Sequence, residues 1–338
     1  MILVTGGTGL VGSQLLYDLV KSGKKVKALK RPESNLSSVK KIFFTNGDAS
    51  ETLFNQIVWV NGDVRDLFSI TEAMQDVDYV YHCAASVSFN SKDKKLLYQT
   101  NEEGTENIVN ASLEKGIKKF CYVSSVATLG KAVNNELITE ETFSKFLVDN
   151  SNYANSKYAA EREVWRAAAE GLNVVIVNPS IILGSGDWRK SSSAMFKKAY
   201  KGLPFYTSGS AGFIDVRDLS KIMIRLMESE ITKERFIVSA ENCSYKNLFE
   251  MICKEFGKKL PKLYATPFLT EIAWRLDLFK SKITGKNPIL TKEIARASQE
   301  KNYFSNEKIK SALSYQFMPL DQSLKDICAI FSADISKK

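Results

Sequence analysis

The chain carries one histidine in 338 residues, His82, which excludes a histidine-rich metal site and any hydrolase triad that places a histidine elsewhere. Its five cysteines, at positions 83, 121, 243, 253 and 328, are scattered and lack CxxC spacing. That set supplies neither a disulfide framework nor a zinc site, and it fits reduced thiols in a cytoplasmic protein; no metal is expected. No apolar run approaches the roughly 20 residues that a membrane span needs. Met1-Ile2-Leu3-Val4 runs straight into a glycine turn without the charged and apolar regions of a secretory leader. Internal repeats, low-complexity linkers, RNA-binding signatures and long basic runs are also missing. The net charge of +9 is therefore read as a solvated basic surface that also attracts phosphorylated ligands, and no nucleic-acid partner is expected.

What is present is an alternation. Short apolar runs at 2–4, 26–29, 57–60, 79–81, 120–123 and 174–177 are predicted strands, and amphipathic stretches near 11–22, 67–76, 94–115 and 153–170 are predicted helices. Strand–helix alternation with right-handed crossovers gives an α/β fold, a doubly wound parallel sheet of Rossmann type. After Asn178-Pro179 the pattern changes to a Gly- and Ser-rich segment, 184–212, with one predicted helix near 192–201. Strands are predicted at 213–218 and 236–238, then helices at 245–256, 269–279, 291–301 and 324–331. The expected organisation is a dinucleotide-binding domain over 1–178, revisited by about 213–238. A smaller, mainly helical substrate lobe is expected from 179–212 and 239–338.

Thr5-Gly6-Gly7-Thr8-Gly9-Leu10-Val11-Gly12 lies between the first strand and the first helix. Glycines let the turn close and let backbone amides, those of Thr8 and Leu10 included, approach a pyrophosphate at a helix N-terminus. Two spacings are nested here, GxGxxG through Gly7, Gly9 and Gly12, and TGxxGxxG through Gly6, Gly9 and Gly12. A dinucleotide site for NAD usually has an acidic residue after the second strand. Here Lys30-Arg31-Pro32-Glu33 stand there. Arg31 can pair with a 2′-phosphate, helped by Lys30, which favours NADP over NAD; the alternative gives Glu33 the acidic role.

Tyr153-Ala154-Asn155-Ser156-Lys157 has YxxxK spacing on a predicted helix, so phenol and ammonium share one face. A neighbouring lysine cation is expected to lower the phenol pKa, so that Tyr153 exchanges a proton with a carbonyl or alcohol oxygen. The fifth strand ends in Ser124-Ser125, and a hydroxyl there can orient a carbonyl toward the tyrosine. Ser125 is preferred and Ser124 kept as the alternative. His82 is read as a packed, hydrogen-bonded residue holding a strand end rather than as a proton carrier.

Taken in order, these elements resemble the extended short-chain dehydrogenase/reductases of the NAD-dependent epimerase/dehydratase family. Asn61-Gly62-Asp63-Val64-Arg65-Asp66 resembles GDxxD, and His82-Cys83-Ala84-Ala85 resembles (N/H)xAA. The segment from Asn101 to Asn107 resembles NxxGTxN, and Ser125 stands five residues before Gly130 as in (S/T)xxxxG. Asn178-Pro179 opens an (R/N)PxxxxG element, and the stretch from Phe213 to Asp218 resembles FVxVxD. The resemblance implies that Asp63 and Val64 edge the adenine. It places Ala84 and Ala85 under the nicotinamide ribose, and Ser124, Asn178 and Pro179 near the cofactor. It also implies a homodimer through the helices near 94–115 and 153–170 as one outcome and a monomer as the other.

Ala211-Gly212 stand where nucleotide-sugar enzymes usually carry an Arg-Asp pair, and KALKRPESN resembles the second-strand ending of the dihydroflavonol 4-reductase and 3β-hydroxysteroid dehydrogenase subgroup. The expected activity is NADP-dependent interconversion of a ketone and a secondary alcohol on a small, apolar substrate. A nucleotide-sugar epimerase or dehydratase and a cofactor-sensing regulator are the alternatives. Phe268, Leu269, Ile272, Trp274, Leu276 and Phe279 are expected to be core, some of them lining an apolar pocket.

Overall fold

A computed structural model describes residues 1–45, 50–131, 136–142, 151–189, 191–288 and 290–336, so Lys190 of the Gly/Ser-rich segment lies outside it. Six strands of the first half, β1 (Ile2–Thr5), β2 (Val26–Lys30), β3 (Val58–Asn61), β4 (Tyr79–His82), β5 (Lys119–Val123) and β6 (Val174–Pro179), fall where the apolar runs place them. Then come β7 (Ile181–Leu183), β8 (Phe205–Tyr206), β9 (Ser210–Asp215), β10 (Glu234–Val238), β11 (Glu241–Ser244) and β12 (Leu263–Tyr264). The main sheet has seven strands in the order β10-β6-β5-β4-β1-β2-β3, all parallel. The order reverses between β1 and β4, and the crevice at the carboxyl ends of the strands there is where this fold binds ligands.

Each face of the sheet is covered. Leu15, Leu16, Leu19, Phe43, Ile222, Met223 and Leu226 pack one face against Val4, Ala28 and Val177. Ile108, Val109, Ala160, Val164 and Ala167 pack the other against Leu3, Phe120, Tyr122 and Ile176. Strands buried on both faces explain the unbroken apolar run Val-Val-Ile-Val at 174–177. A third cluster, including Phe196, Phe213, Leu248, Ile252, Leu324 and Phe331, forms a separate core beside the sheet.

Several expectations need revision. The segment 213–238 does not return to the main sheet as a whole. β9 joins a three-stranded sheet with β7 and β11, and only β10 enters the seven-stranded one. The strand expected over 213–218 stops at Asp215, whose carboxylate accepts from the Arg217 amide and caps the helix Val216–Glu228. The stretch 94–115 is two helices, Lys94–Tyr98 and Gly104–Glu114, joined by a wider π-helical turn, Gln99–Glu103. That turn buries Asn101, which bonds both Ser86 backbone groups and the Ser156 hydroxyl. The helix predicted over 269–279 runs over Pro267–Thr284, and Phe268, Leu269, Ile272, Leu276 and Phe279 are exposed, so they neither fill a core nor line the cleft.

A buried carboxylate ties these layers together. Glu161, on the helix Asn152–Ala169, accepts from Ser124 Oγ at 2.5 Å, Asn178 Nδ2 at 2.9 Å and Thr128 Oγ1 at 3.0 Å. It also meets the Arg235 guanidinium of β10 at 3.2 Å and Trp165 Nε1 at 3.3 Å. The group thus joins the ends of β5 and β6, the edge strand and the helix. Removing one partner of a buried pair leaves the other charge uncompensated, which typically costs about 3–5 kcal/mol. Glu161→Ala should therefore lower the unfolding free energy by about 3 kcal/mol or more in urea titrations, and Trp165→Phe, which removes one neutral donor, should cost about 1 kcal/mol.

Candidate active site

The glycine turn is built by close approach. Gly6 has φ +68°, and a Cβ there would lie 2.6 Å from the backbone of Cys83 and Ala84, at the end of the neighbouring strand. At Gly12 a Cβ would lie 2.3 Å from the Gly6 carbonyl oxygen. Gly7 is packed for another reason, since a Cβ there meets Leu16 at 2.9 Å. Gly9 is the exception. It is exposed, and a Cβ would meet only the Gly6 oxygen, at a tight 3.3 Å, so this is the least crowded side of the turn. The helix Leu10–Lys21 starts at Gly9 with no side-chain cap, which leaves its first amides facing that side.

Below the turn lies a cleft of about 1720 Å³. Its walls include Gly6, Thr8, Gly9, Leu10, Gly12, Lys30, Arg31, Asp63, Val64, Ala84, Ala85, Ser124, Ser125, Tyr153, Lys157 and Pro179. Asn178 is the predicted residue that lies elsewhere: it is fully buried, and its side-chain amide is spent on Glu161, Thr128 and the Ser125 carbonyl. Arg31 is more than half exposed and touches Glu33 at 3.3 Å, while Lys30 Nζ donates to Asn61 Oδ1 at 2.8 Å. Asp63 is held by Arg65 through paired hydrogen bonds, which keep its carboxyl below the ordinary range. A turn that only glycine can form, an uncapped helix start and a cation beyond the second strand fit a dinucleotide phosphate chain in this cleft.

Tyr153 and Ser125 both line this cleft. The Ser125 hydroxyl accepts from the Ala127 amide at 3.1 Å. Ser124 is committed elsewhere, to Glu161, and this separates the two serines. Burial raises the Tyr153 pKa, and the nearby Ser125 side chain opposes that shift. The expected lowering by Lys157 is not seen. The Lys157 ammonium instead donates to the Tyr122 hydroxyl and the Val123 carbonyl, each at 2.7 Å. Its pKa falls to about 7 because burial outweighs the favourable field of Glu161. His82 is buried between Thr5 Oγ1 at 2.6 Å and Thr105 Oγ1 at 3.0 Å. Burial and the Lys157 charge push its pKa down to about 3, so it is a neutral strand-end spacer, as its sequence context suggested.

Glu161 and Tyr122 were not singled out from sequence, and Asn101 entered only as the first residue of the NxxGTxN-like segment. Glu161 had a readable signal, since it continues the four-residue spacing of Tyr153 and Lys157 along one helix face. The apolar walls near Tyr153 come from Val87, Phe89, Val126, Ile138 and Phe304, with the Phe89 ring edge-on to Tyr153 at 5.9 Å.

Residues 2–239 match the NAD dependent epimerase/dehydratase family. Two curated relatives are the "Sterol demethylase protein B" of Methylococcus capsulatus, 29% identical over 80% of this chain and 78% of its own, and the "Putative dihydroflavonol 4-reductase" of Synechocystis, 28% identical over 96% and 92%. The UDP-glucose 4-epimerase of Thermus thermophilus, solved with NAD, superposes with a TM-score of 0.74 over 98% of both chains at 19% identity and shares the fold. The chain belongs to the NAD-dependent epimerase/dehydratase family, within the extended short-chain dehydrogenase/reductases. It is accordingly an NAD(P)-dependent oxidoreductase.

Lys157 has a measurable consequence for stability. Unfolded, it keeps its proton up to about the ordinary 10.5; folded, it releases it near 7. Between those values the unfolded state binds more protons, so this group makes the fold more stable as pH rises through that window and contributes no slope below it. The stability difference between wild type and Lys157→Met should shift in favour of wild type from pH 7 to 10, read from urea midpoints at matched salt.

Proposed function

We propose that the protein is an NADP-dependent reductase or dehydrogenase that interconverts a ketone and a secondary alcohol on a small, apolar substrate. The observation that carries this reading is that Tyr153, Lys157 and Ser125 line the same cleft as the glycine turn. A nicotinamide dinucleotide supplies the hydride donor or acceptor when bound; Gly6, Gly9 and Gly12 would admit its pyrophosphate, with Asp63, Val64, Ala84, Ala85 and Pro179 along its length.

Tyr153 is protonated at neutral pH because burial holds its pKa up, so it is set to donate to a carbonyl oxygen as negative charge develops there. Ser125 is the second hydroxyl at that point and orients the carbonyl. Lys157 holds a proton at Nζ against the end of β5, and with a pKa near 7 it can take up or release that proton in the working range. The buried Glu161 favours the charged lysine. Arg31 and Lys30 supply positive charge beyond the second strand, where a 2′-phosphate would lie. Ala211 and Gly212 line the cleft without any charge, which favours an apolar substrate over a sugar nucleotide.

Consumption of reduced cofactor across a panel of apolar ketones, with NADPH and NADH compared, tests the activity. Tyr153→Phe should lower the turnover number for ketone reduction by about 10²–10⁴, and an unchanged turnover number would remove Tyr153 from the chemistry. Arg31→Ala should weaken NADPH binding by roughly ten- to a hundredfold and leave NADH binding unchanged, read by fluorescence titration of each cofactor. Equal losses for both cofactors would instead assign Arg31 to a part they share.

A further inference from the structure

The helix Pro267–Thr284 presents its apolar residues to solvent. Leu269, Ile272, Leu276, Phe279 and Ile283 recur at alternating spacings of three and four and so form one continuous stripe, widened by Phe268. Their exposures are 47, 40, 64, 63 and 70%, with Phe268 at 72%. The one buried residue of this helix, Thr270, lies on the opposite side, where Gln299 donates to it and to the Ala265 carbonyl. That side packs on the helix Lys292–Ala297, whose Lys292, Glu293 and Arg296 line the cleft. The stripe therefore runs along the outside of the cleft rim. A stripe of this size on an exposed face marks a docking surface.

Charge identifies the occupant. At 100° per residue, Arg275 and Lys282 edge the stripe on one side and Lys280 on the other. The helix's two carboxylates lie off the stripe: Glu271 pairs with Arg275, and Asp277 accepts from the Leu290 amide. A second copy of the same helix packed on this seam would set cation against cation along both edges. An anionic lipid surface meets the arrangement, with apolar side chains entering the acyl boundary and lysines on the headgroups. Among the described residues no helix is long and apolar enough to cross a membrane, so the contact lies in the plane of the interface.

We infer that the helix Pro267–Thr284 docks the protein on anionic membrane surfaces and holds the cleft rim at the bilayer. Its use in collecting a substrate partitioned in lipid rests on the apolar-substrate reading above; the docking itself does not. Flotation of the full-length protein with phosphatidylcholine vesicles, with and without phosphatidylglycerol, tests it without any enzymatic readout. The expected result is binding to the anionic vesicles that falls as salt is raised. Leu276→Glu/Phe279→Glu should weaken that binding by about tenfold or more, and Lys280→Glu/Lys282→Glu by about tenfold. Circular dichroism and the melting temperature should stay at wild-type values in both variants, which separates lost docking from lost folding. Absence of vesicle binding would overturn the inference, as would equal binding by wild type and Leu276→Glu/Phe279→Glu. A dimer in sedimentation equilibrium that this variant dissociates would overturn it in favour of a second copy. Capture of an acidic peptide with no vesicle binding would overturn it in favour of a protein partner.

Discussion

The Glu161 carboxylate is bonded by three other parts of the molecule and by its own helix. Ser124 and Thr128 approach from the end of β5, Asn178 from the end of β6, Arg235 from the edge strand and Trp165 from one turn along its own helix. A buried negative charge is tolerable only with such a set of donors, and the set fixes where the helix Asn152–Ala169 sits on the sheet. Tyr153 and Lys157 ride on that helix, so their height above the strand ends is decided by a group that lies outside the cleft. The same carboxylate favours a charged Lys157 against the burial that opposes it. Structural and electrostatic roles are thus carried by one side chain.

The glycine turn divides its labour in a comparable way. Gly6 and Gly12 are demanded by contacts inside the protein, and Gly7 by Leu16. Gly9 is exposed, and its single close neighbour is the Gly6 oxygen. A motif that reads as uniform in sequence therefore mixes glycines crowded by the fold with one that is less so.

The main sheet was visible in the sequence because strands buried on both faces appear as short apolar runs and the covering helices show their period. The glycine turn and YxxxK could be placed because their chemistry depends on local spacing. Other features depended on distant contacts. Whether Asp215 ends a strand or starts a helix turns on its side chain capping the Arg217 amide, and the preceding apolar residues permit both. Asn178 matched a family element, yet it is fully buried and its side-chain NH2 is given to Glu161 and Thr128. The choice between Ser124 and Ser125 required knowing that Ser124 is bonded to Glu161. The apolar residues near 269–279 have the period of a core helix, and only the tertiary structure shows that none of the described residues covers this face.

The edge strand β10 has a bearing on how the molecule assembles. Arg235 follows Glu161 by 74 residues, and the chain between them leaves the sheet, builds much of the neighbouring lobe and comes back. During synthesis the helix bearing Tyr153 and Lys157 is complete long before its guanidinium counterion exists. Non-local pairings of this kind form late, after the entropy of closing a long loop has been overcome. The helix bearing Tyr153 and Lys157 therefore acquires its final setting only once the chain through β10 has folded.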